Sequence, residues 1–117
     1  SERTYRSIGA RELNLLRPGT VLINGARGQI FDEEALILRL KKGDIFACLD
    51  VYAHEPLPRR SPLRKLENVF LTSHIAGATV EMYGDAPKVL VEKVLTFLGG
   101  GSIPHVITSP EFFKNMT

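Results

Sequence analysis

Residues 20–49 read TVLINGARGQIFDEEALILRLKKGDIFACL, a strand, a loop, a helix and a second strand in thirty positions. Thr20-Val21-Leu22-Ile23 is a continuous apolar, β-rich run, as expected of a strand covered on both faces. The loop Asn24-Gly25-Ala26-Arg27-Gly28 follows. Asp32 is a good helix N-cap, and Glu33 and Glu34 put negative charge in the first turn, where the helix dipole favours it. Phe31 and Leu36 have the spacing of a hydrophobic staple, and Leu36, Ile37 and Leu40 give one apolar face. Lys41 and Lys42 suit the helix C-terminus, and Gly43 supplies a left-handed stop. Ile45-Phe46-Ala47-Cys48-Leu49 is then a second buried strand, ending at Asp50-Val51. Two strands joined by a helix of this length read as a parallel pair, because parallel neighbours need a crossover.

The flanks extend the alternation. Ser7 is expected to cap a short helix through Leu16, with Ile8, Leu13 and Leu16 as its apolar stripe and Pro18-Gly19 as its stop. Pro56, Pro58 and Pro62 make residues 52–67 a loop without regular structure, and Val69-Phe70-Leu71-Thr72 is a third strand. In residues 78–98, Val89, Leu90, Val94, Leu95 and Leu98 fall at helical spacing. Gly84 and Pro87 predict a kink or a broken start there, with a secure helix only after Pro87, and Gly99-Gly100-Gly101 ends it. Residues 102–117 read as a tail in which Ser109-Pro110-Glu111 opens one short turn. The expected fold is α/β, a parallel-sheet Rossmann-like unit. Three strands make a poor free-standing sheet of this type, so residues 1–101 read as half of a doubly wound domain.

Composition narrows the function classes. The chain has 117 residues, 44% hydrophobic and 24% charged, which fits one small globular domain. Fifteen Lys and Arg against 13 Asp and Glu leave a net charge of +2, too weak to imply nucleic acid or an anionic membrane. A single cysteine makes no internal disulfide, so no oxidising compartment is required, and a cytoplasmic location is the expectation. No apolar run approaches the ~18 residues of a membrane span. The chain opens on Ser1 rather than Met, as a processed product or a piece of something longer would.

In an open parallel sheet, ligands bind beyond the carboxyl ends of the strands. Asn24, Ala26 and Arg27 follow the first strand, Asp50 and Glu55 the second, and His74 with Ile75-Ala76-Gly77 the third. A guanidinium, two carboxylates and an imidazole are therefore expected along one rim, a set able to bind an acid and move a proton. Each has a plainer account when taken alone. Arg27 can be a solvated charge, Asp50 a partner of nearby backbone donors, Glu55 a surface loop residue, and His74 a structural histidine. His54 and His105 have no such placement. Cys48 reads as a small buried hydrophobe. Arg59, Arg60, Arg64 and Lys65 read as a solvated basic face, since no aromatic residues interleave with them to stack bases. No Cys/His cluster has metal spacing, and no G-x-S-x-G, Walker loop or G-x-G-x-x-G is present.

Taken together, five segments resemble the D-isomer-specific 2-hydroxyacid dehydrogenases. They are residues 21–28 (VLINGARG), 32–36 (DEEAL), 49–52 (LDVY) with Glu55-Pro56-Leu57, Asn68-Val69, and 72–79 (TSHIAGAT). The match runs in order over about residues 4–98, and residues 106–111 also look like the C-terminus of many members. The resemblance implies hydride transfer between NAD, or NADP, and a small 2-keto or 2-hydroxy acid. Arg27 would bind the substrate carboxylate and keto oxygen, His74 would be the general acid/base, and Glu55 would hydrogen-bond the imidazole. A carboxylate beside an imidazole favours the imidazolium and fixes its tautomer. Asp50 would hold the nicotinamide carboxamide, and Gly25, Ala26, Arg27, His74, Ala76 and Gly77 would line the ring. Formate dehydrogenases of this superfamily carry Gln where this chain has Glu55, which disfavours that branch.

Two positions depart from the pattern. Ser73 stands where the family usually has Pro, and Pro87 where members continue a helix. The glycine-rich loop, the acidic residue that reads the adenosine ribose and most of the substrate domain are not among these residues. Little or no turnover is therefore expected of the 117 residues alone. Family dimers use segments mostly upstream of Ser1, so a homodimer through the parent protein stays open. Two other readings remain: a nucleotide-binding, corepressor-like module without catalysis, and an inactive truncated product.

Overall fold

The computed structural model describes residues 2–104. The chain divides into two compact units, Ser1–Gly77 and Ala78–Thr117. The first holds helix α1 (Ala10–Leu13), strand β1 (Val21–Asn24), helix α2 (Glu33–Leu40), strand β2 (Phe46–Leu49) and strand β3 (Val69–Leu71). The strands form a parallel sheet in the order β1-β2-β3. Asn24 lies opposite Leu49, and Leu49 opposite Leu71, so all three strands end level. That register brings the Gly25, Asp50 and Thr72 segments out at one rim.

Alternation along the strands sorts the two faces. Leu22, Ala47, Leu49, Val69 and Leu71 point to the core, where they meet Leu13, Leu36, Leu40 and Leu63. Val21, Ile23, Phe46 and Phe70 point the other way, and Ile23 is 75% and Phe70 66% exposed. Within this unit the sheet is thus covered on one face, not on both as the apolar run at 20–23 predicts. A continuous apolar strand reports what its fold family buries, and in this unit the helices pack on one side.

Local chemistry accounts for α2. Asp32 accepts a hydrogen bond from the Ala35 N–H at 3.2 Å, and Gly43 takes φ 75° just past the helix. Phe31 and Leu36 join the same core cluster, as their staple spacing predicts. The helix near the N-terminus is shorter than expected, because Gly9 rather than Ser7 starts it. The Gly9 N–H donates to Glu12 at 3.0 Å, while Ser7 turns back to the Thr4 carbonyl and Ile8 bridges Phe31 as an isolated β-bridge. The proline-rich loop is also less irregular than expected. Ser61 accepts from the Leu63 N–H and starts a short 3-10 helix over Pro62–Lys65, with proline at a position that needs no N–H donor.

The second unit contains α3 (Val80–Leu98). It runs unbroken through Pro87, against the expected broken start with a secure helix only after the proline. Thr79 caps it by accepting from the Met82 N–H at 3.1 Å, so the helix is nucleated ahead of Pro87 and the proline removes one bond rather than the start. Gly100 at φ 79° closes its end, with N–H groups of Gly99, Gly100 and Gly101 returning to carbonyls of the last turn. The expected turn at Ser109-Pro110-Glu111, His105 and all of the tail beyond Pro104 lie outside the described residues. Among the described residues, no helix is long and apolar enough to cross a membrane, and no group of three or more His, Cys, Asp or Glu could hold a metal ion.

Candidate functional site

The sheet rim brings Glu55 and His74 into direct contact. Nδ1 of His74 lies 2.6 Å from Oε2 of Glu55, with the two side chains 46% and 36% exposed. The other Glu55 oxygen accepts the Tyr52 N–H at 3.0 Å, so the carboxylate is fixed from both ends. The His74 contact, followed by the Tyr52 N–H, holds the Glu55 carboxyl below the usual carboxylate range; the Arg27 charge adds a smaller pull. An ionised carboxylate only accepts, so Nδ1 carries the proton of this contact. Nε2 is then the nitrogen left for other chemistry.

Asp50 is 6% exposed, and both of its carboxylate oxygens accept protein donors. Its Oδ1 accepts the Thr72 hydroxyl and the Ile75 N–H (2.9 Å), its Oδ2 accepts the Ala76 N–H (3.0 Å), and its carbonyl accepts the His74 N–H (2.8 Å). The Thr72 hydroxyl, then the Ala76 and Ile75 N–H groups, keep its carboxyl below the ordinary aspartate value in spite of burial. Its own N–H donates to the Asn24 carbonyl at 3.0 Å, tying the β2 end to the β1 end.

Arg27 stands on the neighbouring loop. Asn24 shapes that loop by accepting the Ala26 N–H (3.1 Å) and donating to the Arg27 carbonyl (3.2 Å). The guanidinium turns to the Ala26 carbonyl at 2.7 Å and makes no hydrogen bond or ion pair with Glu55 or His74. Arg27, Glu55 and His74 therefore share a rim, and two of the three touch. Gly25 and Gly77 are open on their Cβ sides, with nothing within 4 Å. A cleft of ≈ 460 Å³ lies beside Glu55, lined also by Tyr52, Leu57, Arg64, Thr72 and Ser73; neither Arg27 nor His74 lines it.

Three contributors were not read from the sequence. The Tyr52 hydroxyl reaches the carbonyls of Leu49 and Thr72, bracing the ends of β2 and β3. Thr72 meets Asp50 across 22 positions. Gly28 packs directly on the Tyr52 backbone. A Tyr directly after Asp-Val and a Thr closing a strand are the only local signals for the first two, and neither names its partner. His54 is exposed. Arg64 is not merely solvated, since it donates to the Leu57 (2.8 Å) and Pro58 (3.1 Å) carbonyls and holds their loop.

With this geometry in hand, comparison with known proteins is specific. Residues 1–76 match the family described as D-isomer specific 2-hydroxyacid dehydrogenase, NAD binding domain. The chain is 43% identical over 101 residues to a glyoxylate/hydroxypyruvate reductase B of Yersinia enterocolitica, covering 86% of this chain and 31% of the reductase. It is 37% identical over 108 residues to a glyoxylate reductase of Korarchaeum cryptofilum, covering 92% and 32%. It superposes with a TM-score of 0.80 and 35% identity on a D-isomer specific 2-hydroxyacid dehydrogenase from Xanthobacter autotrophicus Py2, solved with NADPH and MES, covering 96% of this chain and 46% of that one. The chain thus spans about a third of the length of the two reductases. The level strand ends, the His74–Glu55 contact and the matched residues agree: the chain belongs to the D-isomer specific 2-hydroxyacid dehydrogenase family, as part of its NAD-binding domain.

Proposed function

We propose that this chain supplies the proton-transfer machinery of an NAD(P)-dependent reductase acting on a small 2-keto acid, with the reverse oxidation of the 2-hydroxy acid. The observation that carries this reading is the 2.6 Å contact between His74 Nδ1 and Glu55 Oε2. With Nδ1–H committed to the carboxylate, Nε2 is a hydrogen-bond donor in the imidazolium and a bare acceptor in the neutral ring. In reduction, the imidazolium donates its Nε2 proton to the keto oxygen as that carbon gains hydride. In oxidation, neutral Nε2 takes the hydroxyl proton back. Glu55 holds the ring in one tautomer and one orientation.

Arg27 is the candidate for the substrate carboxylate and the polarised keto oxygen, because its planar fork presents parallel donors. The residues present fit the nicotinamide end of the cofactor. Asp50 Oδ2 accepts one protein hydrogen bond and keeps lone-pair capacity for a carboxamide N–H, and Gly25 and Gly77 leave open space at the rim where Ala26, Arg27, His74 and Ala76 also lie. A bound nicotinamide supplies or accepts the hydride. No glycine-rich fingerprint for the pyrophosphate occurs in these 117 residues, so dinucleotide affinity depends on residues outside them. A cytoplasmic setting and a homodimer built through other segments belong to the same reading.

The test is a transplant. The 101 matched residues of the Yersinia enterocolitica reductase are replaced by those of this chain, and oxidation of NADH and NADPH is followed with glyoxylate and hydroxypyruvate. Turnover above that of the 117-residue chain alone is the expected result. A folded, cofactor-binding chimera without turnover on either acid contradicts the reading and favours a non-catalytic nucleotide module.

A further inference from the structure

His74 has φ 57°, in the left-handed region where an L-residue is crowded by its own Cβ. A residue there sends its side chain in a direction that neither a strand nor a right-handed turn provides. At this position that direction carries Nδ1 to Glu55. Such a conformation persists only where its surroundings over-determine it. Glu55 holds the ring and Tyr52 the Thr72 carbonyl, but one residue supplies most of the bonds around the His74 backbone. Asp50 gives its carbonyl to the His74 N–H, and its two carboxylate oxygens to the Ile75 and Ala76 N–H groups and the Thr72 hydroxyl, so its four bonds grip the chain on both sides of the imidazole.

We propose that Asp50 is the positioning residue for the proton-transfer pair: a buried carboxylate that locks residues 72–76 around a left-handed His74 and so sets the His74–Glu55 contact. An ordinary strand-end aspartate satisfies donors two or three residues away in its own turn. Asp50 instead accepts side-chain and backbone donors 22 to 26 positions distant, all from the loop after β3. The lowered Asp50 carboxyl value agrees with a carboxylate that these donors hold ionised. The catalytic meaning of the clamp rests on the function proposed above; the clamp itself is a property of this chain and is tested on it.

The experiment uses isotope-labelled 117-residue chain and nuclear magnetic resonance. It follows amide exchange at Ile75 and Ala76, the downfield Nδ1 proton of His74, and the titration of the Glu55 carboxyl carbon. In Asp50→Asn, the amides of Ile75 and Ala76 exchange roughly two- to tenfold faster, as loss of a single hydrogen bond predicts. The downfield imidazole signal is lost, and the Glu55 carboxyl moves up towards its ordinary value. Leu40→Ala, which loosens the same core without touching the rim, leaves the imidazole signal and the Glu55 titration in place; a purely structural role for Asp50 would make the two variants alike. If Asp50→Asn does not fold, Thr72→Val, which removes one of the four bonds, shifts the same readouts in the same direction by less. A folded variant of either kind with wild-type imidazole signal and Glu55 titration overturns the clamp. Failure of the chimera to turn over strikes the acid/base reading and leaves the clamp standing, so the two outcomes are separate.

Discussion

A Cβ placed on Gly28 would lie 1.9 Å from the carbonyl carbon of Tyr52 and 2.1 Å from its oxygen. The loop that carries Arg27 is therefore pressed against the start of the loop that carries Glu55, with no room for any side chain between them. Tyr52 passes the contact on, since its N–H fixes Glu55 and its hydroxyl holds the ends of β2 and β3. Gly28→Ala must push backbone apart. We expect a loss of about 1–3 kcal/mol, the usual cost of overpacking a close-packed site, read from urea unfolding. An unchanged midpoint would show that the two loops do not meet in solution.

The core prediction is simpler. Leu40 is fully buried at the heart of the α2–sheet contact. Leu40→Ala leaves a cavity there and costs about 2–5 kcal/mol. A loss under about half a kcal/mol would mean that α2 is not docked as described.

Acid sensitivity follows from the carboxyls that the fold holds low: Glu55 and Asp50 at the rim, and Glu12, Asp44 and Glu81 elsewhere. Glu55 and Asp50 both titrate lower when folded than when unfolded. Each therefore binds more protons in the unfolded chain, so its stabilising contribution is present above the unfolded value near pH 4 and disappears as pH falls through the folded value. Unfolding midpoints should hold from neutral pH to about 5 and drop below about 4. Glu55→Gln removes one of these contributions and makes that drop shallower. A drop as steep as in the parent chain contradicts the paired state of Glu55.

Arg27 is the residue for which lysine is not a substitute. Arg27→Lys in the chimera keeps the charge but loses the fork that grips carboxylate and keto oxygen together. kcat/KM for glyoxylate should fall by roughly 10- to 150-fold, the range for lost hydrogen bonds to charged groups. Equal efficiency with either residue would remove Arg27 from the substrate site.

Much of this was legible because it is written in local code. The Asp32 cap, the Phe31–Leu36 staple and the Gly43 stop lie within a dozen positions of one another, and each has one physical use. The rim could be anticipated because strand ends follow from where apolar runs stop. What the sequence could not carry were relations between distant residues. Nothing near Asp50 says that its carboxylate will meet Thr72, Ile75 and Ala76, and nothing near Gly28 says that Tyr52 will rest on it. The expected break at Pro87 failed for a related reason: propensity priced the proline alone, whereas the Thr79 cap commits the helix before the proline is reached. The expected two-sided cover of β1 failed because strand composition records burial in a larger sheet than the described residues contain.

The most direct measurement is single-turnover reduction of glyoxylate by the chimera and its His74→Ala variant, with cofactor binding followed in parallel. The proposed proton transfer requires the variant to bind reduced nicotinamide like the parent while its chemical step slows by about 10²- to 10⁴-fold, the usual worth of a general acid. A variant that turns over at the parental rate would show that His74, in spite of its contact with Glu55, moves no proton in the reaction.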